Sequence, residues 1–198
     1  MSKTDPAASK KARNKTIRWV VTIFLVTIVI SGIISFISDE VMSRSGIVTA
    51  FLILLAIILV GIIFDIIGMA VATADEKPFH SMAARKVPGA QAAIRLLRNA
   101  ERVSSICNDV VGDICGVVSG SASATIAAQI LQGADFGFPQ MISLLMSAFC
   151  AGLTVGGKAI GKTFAVNSAT VIVHAVGRMI YWLEHVPEFF RSRKKNKR

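Results

Sequence analysis

The chain is short of the residues on which soluble catalytic domains rely. It has three cysteines, three histidines and one tyrosine in 198 residues, and its 12 acidic side chains face 22 Lys and Arg. Cys107, Cys115 and Cys150 form no CxxC pair and have no neighbouring histidine at metal-ligand spacing, which removes support for a disulfide framework or a zinc site. Each reads as a small apolar residue within an apolar run. His80, His174 and His185 stand singly and suit surface or interfacial positions better than metal ligation. No Ser, Cys or Thr has an evident base partner, so nothing points to an enzyme. The terminal basic runs lack interleaved aromatic residues on which bases could stack, which argues against nucleic acid as a partner.

Long apolar runs dominate instead. Apolar residues make up 53% of the chain, more than a soluble domain of this size needs. The fold class expected is an all-α integral membrane protein of about four transmembrane helices with juxtamembrane and interfacial amphipathic helices. Residues 1–15 read as a disordered basic arm. Spans follow at about 17–37, 46–73, 104–131 and 141–158, each long enough for a hydrocarbon core of about 30 Å or close to it. The first run exceeds the apolar region of a signal peptide and lacks a convincing cleavage site.

Short loops are expected at 38–45, with Asp39, Glu40 and Arg44, and at 132–140, with Asp135 and no basic residue. Between the second and third spans, residues 74–102 form a basic juxtamembrane stretch divided by Pro78 and Pro88. Its second piece is amphipathic, with Ala93, Leu96, Leu97 and Ala100 on one face and Arg95, Arg98 and Arg102 on another. Residues 164–190 carry Asn167, His174, Arg178 and Glu184 and precede the basic tail 191–198. A fifth crossing would put that tail outside, so this stretch reads as an interfacial helix anchored by Tyr181 and Trp182. The expected location is the cell membrane, multi-pass, with both termini cytoplasmic and membrane lipids as partners.

Chemistry is expected where acids enter the apolar runs, because a central Asp costs about 2.5 to 3.5 kcal/mol on insertion scales. Asp109 and Asp113 are four apart and share a helix face. Gly116 and Gly120 continue it, and Gly112, Gly116 and Gly120 form a tandem GxxxG, so the acidic face is expected to point into protein, against Gly152, Gly156, Gly157 and Gly161 of the fourth span. Asp109 and Asp113, assisted by Asn108 and Ser105, are the candidate ion ligands, suited as oxygen donors to Mg²⁺ or Na⁺. The alternative is that these acids pair with Lys158 or Arg102 or lie in water. Asp65, Lys158 and Lys162 are candidates for ion pairing or gating, with Asp65 expected to take a solvated or capping role near the cytoplasmic end of its span.

Three segments resemble the transmembrane domain of the cyclin M and CorC-type magnesium transporters. Phe64 to Ala74 is similar to the family's Phe followed by small residues. Asn99, Ala100, Glu101 and Arg102 match its Asn-Pro-Glu-Arg turn, with Asp109 and Asp113 at two asparagine positions, and Gly157, Lys158, Gly161, Lys162 and Ala165 resemble its Gly-Glu-x-x-Pro-Lys-x-x-Ala signature. Ile67 and Gly68 stand where the family has Ser-Glu, Lys158 where it has Glu, and Gly161 where it has Pro. The resemblance implies Mg²⁺ transport or efflux, Na⁺ as a possible coupling ion, and a homodimer. A non-transporting scaffold or regulator that uses its basic termini for lipid or partner contacts is the competing expectation.

Overall fold

The computed structural model describes the backbone of residues 6–133 and 138–195, and the side chains of residues 17–132, 138 and 140–185. All regular structure among the described residues is helical: α1 (Pro6–Ser43), α2 (Ile47–Thr73), α3 (Lys77–Ala84), α4 (Ala90–Arg98), α5 (Ala100–Ser105), a π-helical turn (Ile106–Val111), α6 (Gly112–Gly133), α7 (Pro139–Asn167) and α8 (Ala169–Lys195). Four helical stretches, Ile17–Ser43, Ile47–Thr73, Ala100–Gln132 and Gln140–Asn167, are long and apolar enough to cross a membrane. The all-α membrane fold is therefore as expected. Phe24, Phe36, Leu52, Leu144, Leu145 and Phe149 are exposed on the outer surface, the arrangement lipid requires and water penalises.

Several boundaries differ from those read in the sequence. Helix α1 opens at Pro6, inside the stretch expected to be disordered. Proline suits a first helical turn, and Ala7, Ala8, Lys10, Lys11, Ala12 and Arg13 are strong helix formers that extend the apolar run. Its other end runs through Asp39 and Glu40 to Ser43, where Glu40 pairs with Arg44, so the first loop shrinks to Arg44–Gly46. Helix α7 does not stop at 158 but carries Lys158 and Lys162 on to Asn167. The break comes at Ser168, and α8 starts at Ala169 rather than 164. The expected loop around Asp135, the first residues of the arm and the last of the tail lie outside the described residues.

The spans alternate in direction. Gly61 of α2 approaches Cys115 and Gly68 approaches Asn108, so α2 is antiparallel to the third span, whereas Gly157 and Gly161 of α7 meet Ile62 and Ile66 in parallel order. Helix α1 joins through its last turns: Met42 is buried, its carbonyl accepts a bond from Gln129, and Thr125 donates to Asp39. Two apolar cores result. One gathers Met42, Ala50, Leu54, Ile58, Ala122, Ile126 and Cys150, and the other gathers Ala70, Val71, Phe79, Ala93, Ala165, Ala169 and Val173 from α2, α3, α4, α7 and α8. Pro78 starts α3, and Gly89, at φ +87°, turns the chain into α4. Helix α4 then buries Ala90, Ala92 and Ala93 and leaves Arg95 and Arg98 exposed, as its amphipathic pattern requires. Helix α8 packs through Val173 and Gly177 onto this pole of the bundle, while Val171 and Met179 on its other side stay exposed.

Candidate functional site

Between the two cores lies a polar centre made by α2, the π-turn and α7. Asp65 supplies its acid. It stands eight residues before the end of α2, about 12 Å along the axis, and is only 4% exposed. The expectation of a solvated or capping Asp65 is therefore corrected: the third span and α7 close over it. Lys158 Nζ lies 4.0 Å from Asp65 Oδ1. The other carboxylate oxygen, Oδ2, is buried with no hydrogen-bond partner.

Glycines make the room. A Cβ on Gly112 would lie 3.3 Å from Lys158 Nζ, 3.5 Å from the Cys107 carbonyl oxygen and 4.0 Å from Asp65 Oδ1, which puts the first turn of α6 at the wall of the centre. One turn further along α2, a Cβ on Gly68 would collide with Asn108 Oδ1, so this glycine is what lets the π-turn approach α2. Asn108 donates through Nδ2 to Ser104 Oγ at 3.3 Å, and its Oδ1 is buried and unpartnered. Two bare acceptor oxygens, one a carboxylate, thus belong to one junction inside the apolar bundle, where unsatisfied polar groups are costly. A π-turn also widens the helical hydrogen-bond ring and commonly marks functional positions.

The other expected ligands are elsewhere. Asp109 and Asp113 do share a face, but it is the exposed one, and Ser105 donates to Asp109 Oδ2 at 2.7 Å without reaching Asp65. The expectation that this face turns into protein fails because α6 buries its bulkier side, Ile114, Val118, Ala122 and Ile126. Four-residue steps advance about 40° each around an α-helix. Gly112 is accordingly buried, while Gly116 and Gly120 have nothing within 4 Å of a built Cβ. Gly152 and Gly156 are likewise open, and Gly157 and Gly161 pack against Ile62 and Ile66 of α2, not against the α6 glycines. Lys162 is exposed and outside the centre.

Ser119, Ser121 and Ser123 donate to the carbonyls of Cys115, Val118 and Gly120, so the serine-rich stretch is satisfied within its own helix. The three cysteines are free. Among the described residues no three His, Cys, Asp or Glu side chains converge as a metal cluster. The centre therefore offers oxygen from one carboxylate, one amide and one backbone carbonyl, with a lysine already beside the carboxylate. Asn108 was a candidate ligand on sequence grounds, and Asp65 and Lys158 were candidates for ion pairing, which is how they stand; that Asp65 rather than Asp109 and Asp113 would be the buried acid was missed, although its break in the apolar run of α2 was the signal to read. No family model, curated protein or solved structure matches the chain, and the chemistry of the centre is read from its own residues.

Proposed function

We propose that the chain is a small membrane transporter for a divalent, Mg²⁺-like cation, of the cyclin M and CorC type, whose ion passes the Asp65 centre. The observation that carries the reading is the Asp65 carboxylate itself, 4% exposed, with Oδ2 unpartnered and a second unpartnered oxygen on Asn108 nearby. Intramembrane carboxylates mark ion pathways by default, and hard cations take oxygen ligands. Entry of an ion requires Lys158 to leave, which its flexible stem and partial exposure permit. Asp109 and Asp113, on the open face near the same level, form an outer acidic pair. The open Gly116 and Gly120 surface is where a second copy would pack in a homodimer. The protein lies in the cell membrane with the pole bearing Arg85, Lys86, Arg95 and Arg98 in the cytoplasm, which puts both termini there as well.

The test is Mg²⁺ flux into liposomes containing the purified chain and an entrapped indicator, with Asp65→Asn and Asp109→Ala/Asp113→Ala as comparisons. Flux abolished in folded Asp65→Asn supports the reading, and flux that survives this change refutes the pathway. A second reading, a non-transporting scaffold or regulator, is favoured by one observation: the Lys158 ammonium already stands 4.0 Å from the carboxylate, where a cation would. A folded wild type that moves no Mg²⁺, with or without a Na⁺ or proton gradient, selects this second reading.

A further inference from the structure

A separate groove opens at the basic pole, between the turn joining α3 to α4, α4 itself and α8. It encloses about 540 Å³ and is lined among others by Lys86, Arg95, Arg98, Tyr181, Glu184 and His185. Three cations from two elements thus surround one concavity. Arg95 gives its Nη2 to both Glu184 oxygens, at 2.9 and 2.8 Å, and Arg98 gives its Nε to Glu76 Oε1 at 3.2 Å. Each guanidinium is thereby fixed by one edge and retains further N–H donors. Lys86 makes no ion pair among the described residues; its φ of +55° is the left-handed residue that closes α3, its N–H donating to the Ala83 carbonyl and that of Val87 to the Met82 carbonyl, so the lysine stands at a fixed turn beside the groove. The turn carrying it is pinned to α8, because the Gly89 carbonyl oxygen would lie 2.6 Å from a Cβ built on Gly177. His185 Nδ1 donates to the Tyr181 carbonyl at 2.8 Å, leaving Nε2.

We propose that this groove binds the phosphate of an anionic phospholipid headgroup. Cations with spare donors fit a phosphate, guanidinium being the group best shaped for it. An acyl-bearing ligand rather than a free phosphate is indicated by Met179 and Trp182, one turn apart on α8, which form a short exposed apolar stripe within the same turns as the groove residues Tyr181 and His185, Trp182 being 65% exposed. A headgroup in the groove would lay its chains along that stripe, the amphipathic contact an interfacial helix makes.

Native mass spectrometry of the full chain in detergent, offered phosphatidylglycerol or phosphatidylcholine, tests this. Wild type is expected to retain phosphatidylglycerol preferentially. Lys86→Asn/Arg98→Gln, whose asparagine tolerates the left-handed backbone, is expected to lower that preference roughly 30-fold, about fivefold per basic side chain. Lys77→Gln/Arg102→Gln removes two exposed charges outside the groove lining and is expected to leave it unchanged. Equal losses in the two double variants, or no preference in wild type, would overturn the proposal. Displacement of the bound lipid by millimolar inorganic phosphate would also overturn it, assigning the groove to a soluble phosphate. Matching melting midpoints for the three proteins establish that folding is not the cause.

Discussion

Removing Lys158 should destabilise the protein more than removing Asp65, although they are partners. At 4.0 Å, and with an effective dielectric near 20, Coulomb's law gives an attraction of about 4 kcal/mol. Lys158→Met leaves the Asp65 charge in a site where its side chain is 6% exposed. Asp65→Asn leaves an ammonium on a side chain that is 22% exposed and free to swing toward water. Losing one member of a buried pair typically costs about 3 to 5 kcal/mol, and losing both is often close to neutral. The expected costs are about 3 kcal/mol for Lys158→Met and about 1 kcal/mol each for Asp65→Asn and the double variant, a coupling of about 3 kcal/mol. Unfolding by sodium dodecyl sulfate titration, followed by circular dichroism in mixed micelles, measures all four corners of the cycle. Single effects that add to within about 0.5 kcal/mol would refute the pairing and, with it, the buried charge at the centre.

Gly68→Val should displace Asn108 and press on Cys107 Cβ, which a Cβ at residue 68 would approach to 2.9 Å. A loss of about 2 kcal/mol or more, read by the same titration, is expected. Gly89→Ala combines a φ of +87° with a Cβ 2.5 Å from the Arg178 backbone nitrogen, and the variant is expected to express poorly or melt well below wild type. Gly116→Ala/Gly120→Ala meets only open space in one chain, so each change should stabilise the monomer by up to about 1 kcal/mol through helix propensity. If that face is the dimer contact, the same variant lowers the cross-linked dimer fraction, and an unchanged fraction removes the face from the interface.

The spans were legible because an apolar run long enough to cross a bilayer declares itself without reference to its neighbours. Pro78 and Pro88 likewise marked the breaks flanking α3, and the spacing of Ala93, Leu96 and Leu97 against Arg95 and Arg98 gave the faces of α4. Burial of individual acids was not legible, since it depends on which helices pack on which side. Asp65 sits in a run that is apolar all round, so no stripe told its inward side from its outward one, and only α7 and the third span supply the cover. For Asp109 and Asp113 the glycine spacing was misleading: a small-residue pattern identifies a face that permits close approach, and the bulkier Ile114 and Val118 took the approach inside this chain. The end of the fourth span was missed at Lys158 because a lysine reads as a terminus until its carboxylate partner is known.

The six-residue π-turn makes the third span two helices out of phase. A surplus residue rotates the helix before it against the helix after it by about 100°. Substitution tolerance along residues 100–132 should therefore keep one 3.6-residue rhythm up to Ser105 and another from Gly112, with the break at Asn108. A helix with such a dislocation can also pass the surplus residue to the next turn without losing its span. Asn108 would then swing around the axis while both ends of the helix stayed packed, so the side chain that rotation moves is also the one that meets α2 at Gly68, one turn from Asp65.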